Sequence, residues 1–135
     1  MKKLIKVVGA IIENENNEIL CALRSPIMSL PNMWEFAGGK IESDETLKEA
    51  IEREIKEELA CDVEFIDVFN DNTHEYDEFI INLTTVKCRI TSGTPTASEH
   101  SKLIWLHRDN LLSLNWAPAD INAVNQLILE KVYQN

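Results

Sequence analysis

One stretch of the chain gathers side chains able to do chemistry. Gly38-Gly39-Lys40 leads through Ile41-Glu42-Ser43-Asp44-Glu45 to Arg53-Glu54-Ile55-Lys56-Glu57-Glu58. On a helix turning about 100° per residue, Leu47, Ala50, Ile51, Ile55 and Leu59 form an apolar side, and Lys48, Glu49, Glu52 and Lys56 lie opposite. Glu54 and Glu58 fall inside the apolar sector, with Glu57 at its edge, and their i, i+3, i+4 spacing makes the three neighbours on one face. Ion pairs on a solvated helix account for Glu49 and Glu52 but not for Glu54 and Glu58. Two carboxylates about 4 Å apart repel by about 4 kcal/mol at an effective dielectric near 20, a heavy penalty for a marginally stable fold. A hard divalent cation removes it, and Mg²⁺ suits such a place because it takes a few carboxylates, water and phosphate oxygens.

The glycine pair strengthens that reading. As a turn, Gly38-Gly39 permits unusual dihedrals and close approach by a ligand. A main-chain carbonyl there offers another hard oxygen, and Lys40 a point charge for a phosphate. The chemistry expected is metal-assisted reaction of a phosphorylated compound.

The elements that must position these groups follow from periodicity. Strands are expected at Ile5–Ile12, Ile19–Leu23 and Trp34–Ala37, the last stopped by Gly38-Gly39. The acidic helix runs from Glu45 to Leu59, capped by Ser43 or Asp44. Further strands are expected at Val63–Phe69, Phe79–Ile90 and Lys102–Leu106, with a loop over 91–101. A last helix spans Asp120–Tyr133, with Ile121, Val124, Leu127, Ile128 and Val132 on one side. Strands with two helices make a mixed α/β layered domain, read as one unit over residues 1–135.

Composition narrows the partners. A net charge of −10 argues against a nucleic-acid polymer. It also means that an anionic substrate must be bound through cations. No apolar run reaches the roughly 18 residues of a membrane span, and Lys6 interrupts the first apolar stretch, so a strand rather than a signal peptide is expected there. Cys21, Cys61 and Cys88 are widely spaced and read as buried or half-buried thiols of a reducing, cytoplasmic environment. The sequence assigns no oligomeric state.

From Gly39 to Cys61 the chain resembles the Nudix box: Gly, five residues, Glu, seven residues, Arg-Glu-apolar-x-Glu-Glu-x-Gly-apolar. Gly39, Glu45, Arg53, Glu54, Ile55, Glu57 and Glu58 occupy the matching places, while Ala60 replaces the last glycine and Cys61 fills the final apolar place. A left-handed helix exit at Ala60 would cost about 1–2 kcal/mol. Trp34-Glu35-Phe36-Ala37-Gly38-Gly39-Lys40 and Ala117-Pro118-Ala119-Asp120 look like the MutT-type branch, near bacterial CTP pyrophosphohydrolases. The resemblance implies a Nudix-type α/β/α sandwich with a mixed β-sheet. It also implies Mg²⁺, with Mn²⁺ as substitute, held by Glu54, Glu57 and Glu58 with help from the Gly39 carbonyl. By the same resemblance Glu45 and Arg53 pair structurally, Arg24 and Lys40 contact phosphates, and Glu99 adds a metal ligand or general base or is a solvated loop residue. Glu35, Glu42 and His100 are assigned no chemistry.

MutT-type relatives cleave a nucleoside triphosphate with water into a monophosphate and pyrophosphate. That requires charge neutralisation, an in-line water and a base for its proton; Glu54, Glu57 and Glu99 are the candidate bases. Asp120 either caps the last helix or, by resemblance, meets the base edge. An ionised Asp only accepts hydrogen bonds, which suits cytosine N4 and tilts the expectation mildly toward CTP, dCTP or a modified cytosine nucleotide. Guanine also offers donors, and a buried Asp can carry a proton. Trp34, Phe36 and Phe79 either wall the base or belong to the core. The alternatives are an oxidised purine triphosphate such as 8-oxo-dGTP, and a non-catalytic Nudix-fold nucleotide-binding module.

Overall fold

The aliphatic runs that alternate or continue over five to ten residues become strands, and the acidic amphipathic stretch becomes a helix. The computed structural model describes residues 1–130. In chain order its elements are β1 (Lys3–Ile12), β2 (Glu18–Leu23), β3 (Trp34–Glu35), β4 (Gly38–Lys40), α1 (Leu47–Leu59), β5 (Asp62–Glu75), β6 (Phe79–Ser92), β7 (Lys102–His107) and α2 (Pro118–Glu130). One sheet has the order β4-β1-β6-β5, with β1 parallel to β6 and the other pairs antiparallel; β3-β2-β7 form a second, antiparallel sheet.

β1 lies between the two helices. Val8, Ala10 and Ile12 pack with Ala50, Ile51, Ile55 and Leu59 of α1. Ile11 packs with Ala123, Val124 and Leu127 of α2. Alternate residues of a strand point to opposite faces, so the helices bury their stripes on opposite sides of the strand layer. This is the expected α/β/α sandwich with a mixed sheet. Ile51, Ile55 and Leu59 are fully buried, each contributing about 1.5–3 kcal/mol. All three cysteines are free and buried, and burial pushes the thiols of Cys21 and Cys88 up to about 12. Among the described residues no helix is long and apolar enough to cross a membrane.

Several boundaries differ from expectation. α1 starts at Leu47 and is capped by Thr46, not by Ser43 or Asp44. Thr46 Oγ1 accepts the Glu49 N–H while the Glu49 carboxylate accepts the Thr46 N–H, a reciprocal capping box. Asp44 instead takes a left-handed conformation (φ 72°). Gly38-Gly39 is not a turn but the start of β4, paired with Val8 and Gly9 of β1. β5 continues through the polar run to Glu75 because, after register shifts at Asp62/Val63, Phe65/Asp67 and Val68/Asn70, it stays paired with β6 from Asn70 to Glu75.

In α2 the buried face is Ala119, Asp120, Ala123, Val124 and Leu127. Ile121 stays exposed, one residue and so about 100° off that i, i+3, i+4, i+7 stripe. Val132 and Tyr133 lie outside the described residues. A 3-10 turn at Arg108–Ser113 was not expected. Its buried Arg108 forks onto Glu13, at 3.0 Å to each oxygen, and reaches Glu130 at 2.9 Å, tying the end of β1 to the end of α2.

Candidate active site

α1 presents its carboxylates as the wheel requires. The Glu54 side chain is 15% exposed and that of Glu57 55%, and Glu58 Oε1 accepts the Gly38 N–H at 3.1 Å. The glycines give way for close approach rather than for unusual dihedrals. A Cβ on Gly39 would lie 2.4 Å from Glu54 Oε1, and one on Gly38 would lie 1.9 Å from the Val8 carbonyl oxygen.

Arg53 holds this arrangement together. Its Nε and Nη2 grip the two oxygens of Glu45 at 2.6 and 2.9 Å. Nη1 reaches Glu54 at 2.9 Å and Glu57 at 3.2 Å, and Nη2 donates to the Lys40 carbonyl at 3.1 Å. Hydrogen bonds from Arg53, and then from the Glu42 N–H, hold the Glu45 carboxyl at about 2. Hydrogen bonds to Glu45, and then to Glu54 and Glu57, raise the Arg53 guanidinium above its ordinary value against burial.

These carboxylates fit a hard divalent cation by charge and donor type. Burial pushes Glu58 up to about 7, with Glu35 and Glu54 adding to the rise while His100 and the Gly38 N–H oppose it. A carboxylate crowded by other carboxylates in a half-buried place is one that a cation stabilises. The three box glutamates are not closed into a finished cage, and among the described residues no three such groups stand at metal-binding separation. Glu54 and Glu57 are turned onto Arg53, and Glu58 onto Gly38. Re-aiming these three side chains is a rotamer change, not a refolding.

Beside the glutamates opens a cleft of about 230 Å³, whose lining includes Gly39 and Glu58 together with Arg24, Phe36, Phe79 and Asp120. Asp120 is not an N-cap. It is the third residue of α2, buried, and its Oδ2 accepts the Phe36 N–H at 3.0 Å. Burial, helped by the charge of Glu35, pushes its carboxyl up to about 8 against the Phe36 N–H and Arg24. Phe36 is buried and leans on Trp116, 4.9 Å between ring centroids. Phe79 is half-buried beside Tyr76, at 5.2 Å.

Other expected residues are placed differently. Trp34 packs in the core cluster beneath α2 and does not line the cleft. The Lys40 side chain is exposed and also outside the lining. Arg24 lines the cleft, but its guanidinium is engaged: Nε donates to the Ser29 carbonyl at 2.6 Å, Nη2 to Ser29 Oγ at 3.0 Å and Nη1 to Glu35 at 2.7 Å. Glu99 is exposed in the 93–101 loop. That loop is docked on the C-terminal end of α1, where Ser98 Oγ donates to the Glu58 carbonyl at 2.8 Å and the Thr96 N–H to the Leu59 carbonyl at 2.9 Å.

Three residues of the site escaped the sequence reading. Glu35 lines the cleft and His100 pairs with it at 2.8 Å. Burial works against the His100 imidazolium, but Glu35 and Glu58 outweigh it and raise its pKa. Tyr76 lines the cleft, and its hydroxyl accepts the Ala119 N–H at 3.0 Å, at the start of α2. Glu35 left a usable signal, a charge between two aromatics in a short strand next to the glycines. His100 and Tyr76, single residues in polar loops, left none.

The NUDIX domain family profile matches residues 3–127. The chain is 38% identical to the CTP pyrophosphohydrolase of Escherichia coli K12, over 88% of this chain and 87% of that one. It is 33% identical to the 8-oxo-dGTP diphosphatase of the same organism, over 94% and 98%. The solution structure of the DNA mismatch repair protein MutT, a Nudix hydrolase from methicillin-resistant Staphylococcus aureus 252, superposes with a TM-score of 0.78 at 54% identity, covering 96% of this chain and 99% of that one.

Proposed function

The chain belongs to the NUDIX family of hydrolases, and on that premise we propose that it is a Mg²⁺-dependent nucleoside triphosphate pyrophosphohydrolase, with Mn²⁺ as a substitute metal and a mild preference for cytosine nucleotides. The observation that carries the reaction class is the half-buried pair Glu54 and Glu58, set against Gly38 and Gly39 at one side of the cleft that also holds Asp120. Water adds to one phosphorus of the α–β anhydride, the bridging oxygen leaves with the other, and nucleoside monophosphate and pyrophosphate result. A cation held by Glu54, Glu57 and Glu58 would supply neutralisation of phosphate charge and a site for the attacking water.

The chain's own residues do the rest. Glu54, Glu57 and Glu58 supply carboxylate oxygens, and the Gly39 carbonyl is the further hard donor. Arg53, fixed by Glu45, keeps α1 and the β4 strand in register so that these donors share one face. Glu54, Glu57 and Glu99 are the candidates for taking the proton of water. Phe36 and Phe79 wall the nucleobase side of the cleft.

Asp120 lies in the cleft but discriminates less between bases than an ionised carboxylate would. With its carboxyl at about 8, it carries a proton at neutral pH and can both donate and accept. Cytosine offers a ring-nitrogen acceptor beside its exocyclic amino donor, and guanine a carbonyl acceptor beside its ring N–H donor, so a neutral carboxyl group matches either base. The mild preference for cytosine therefore rests on the likeness to a CTP pyrophosphohydrolase. The second reading, an oxidised guanine nucleotide, draws on the likeness to an 8-oxo-dGTP diphosphatase. A panel of triphosphates scored by kcat/KM, with pyrophosphate release followed in Mg²⁺ and in EDTA, tests both readings. Higher efficiency on CTP or dCTP is expected; equal efficiency on CTP and 8-oxo-dGTP overturns the base preference. Release that persists in EDTA overturns the metal dependence, and no release from any triphosphate favours a non-catalytic nucleotide-binding module.

A further inference from the structure

The segment between β2 and β3 walls the cleft through Met28, Ser29 and Leu30; backbone hydrogen bonds close its base (Arg24 N–H to Met33 carbonyl, Asn32 N–H to Arg24 carbonyl) and one turn at Ser25–Met28, while its middle is held by side chains. Leu30 and Asn32 both take left-handed conformations, φ 51° and 64°, which non-glycine residues keep only where surrounding contacts impose them. Ile27 at its tip is fully exposed. The strongest grip on its middle comes from Arg24, which holds the Ser29 carbonyl and hydroxyl. Arg24 is aimed by Glu35 Oε1, and the other oxygen of Glu35 meets His100 Nε2 at 2.8 Å.

His100 anchors this chain of contacts. Its side chain is 0% exposed, it belongs to a loop already docked on α1 through Ser98, and among the described residues its Nδ1 has no hydrogen-bond partner. An imidazole buried with one nitrogen unsatisfied is costly, and its Nε2 meets Glu35. Both Glu35 and Arg24 are more than four-fifths buried, so their pairing is shielded from solvent.

We propose that Glu35 and His100 are positioning residues which, through Arg24 and Ser29, hold the 24–33 segment in place as a wall of the nucleotide cleft. They set substrate affinity rather than the chemical step. The inference rests on the proposed triphosphate hydrolysis only for its kinetic readout; the segment's order can be measured without turnover.

The experiment compares wild type with Glu35→Gln, His100→Ala, His100→Gln and the double variant Glu35→Gln/His100→Ala. The readouts are steady-state kinetics on CTP with Mg²⁺ and amide hydrogen exchange of the free protein. Glu35→Gln and His100→Ala should each raise KM about tenfold with kcat within about threefold. The double variant should be no worse than the weaker single variant, as expected of residues in one chain of contacts. His100→Gln, which keeps an amide donor for Glu35 and is the milder change to the fold, should recover KM to within about threefold of wild type. Amides of residues 25–33 should exchange about tenfold faster in the two impaired single variants while α1 keeps its protection. A fall in kcat at unchanged KM, additive effects, or wild-type exchange at 25–33 would overturn the proposal. If wild type releases no pyrophosphate, the functional reading fails and the exchange data alone decide this one.

Discussion

Gly39 and Glu54 are so close that a methyl group on the glycine would stand 2.4 Å from the carboxylate. Gly39→Ala should therefore displace Glu54 and cut kcat/KM by about 100-fold, the scale at which misplacing a metal site's supports is felt. A flexible side chain absorbs the clash, so stability should change little. Gly38→Ala instead drives its methyl into the Val8 carbonyl at 1.9 Å, forcing β1 and β4 apart, and should cost about 1–3 kcal/mol. Urea unfolding alongside kinetics separates the two effects; equal loss of stability in both variants would contradict this division.

The box carboxylates differ in exposure, with Glu57 the most open of the three. If Glu57 is a metal ligand nonetheless, Glu57→Gln should lower pyrophosphate release by about 100-fold or more and shift the Mg²⁺ dependence to higher concentration. Near-normal turnover would remove Glu57 from the ligand set and leave Glu54 and Glu58.

Asp120 gives a signed dependence of stability on pH. Its carboxyl is raised from 3.8 to about 8 on folding, so between those values the folded chain holds a proton that the unfolded chain has lost. Stability from this group is present in full below about pH 4 and is lost as the pH rises toward 8. Asp120→Asn keeps an oxygen for the Phe36 N–H and removes the titration. Urea midpoints at pH 4, 6 and 8 should fall less steeply in the variant than in wild type; parallel profiles would show that Asp120 is not the source.

Ala60 closes α1 at φ 55°, with its N–H bonded to the Lys56 carbonyl. Glycine adopts that conformation without the Cβ penalty. Ala60→Gly should raise stability by about 1 kcal/mol and leave kcat and KM unchanged, read by thermal unfolding beside a kinetic control. A lower melting temperature would mean that the Ala60 methyl contributes packing that outweighs its strain.

The amino-acid sequence by itself determined the chemistry-bearing helix. The wheel separated Glu54 and Glu58 from Glu49 and Glu52 because helical spacing is local, and it paired Glu45 with Arg53 through a resemblance carried by one contiguous stretch. It also placed the longer strands and helices, β1, β2, α1, β5, β6, β7 and α2, that alternate or repeat strongly enough to be read. What it could not decide is what depends on contacts far apart in the chain. The glycine pair looked like a turn, but pairing with β1 made it a strand whose missing side chains give room to Glu54 and the Val8 carbonyl. Asp120 read as either a cap or a contact to the base edge, and the register of α2 buried it against Phe36, 84 positions away, where desolvation changes the proton it carries. Trp34 and Phe36 were alike as aromatics of one short strand; packing sent the first into the core and left the second as a cleft wall. Glu35 and His100 lie 65 residues apart and meet only because β2, β3 and β7 share a sheet. Local periodicity selects elements and faces, whereas burial and long-range partners decide which charges persist and what they hold.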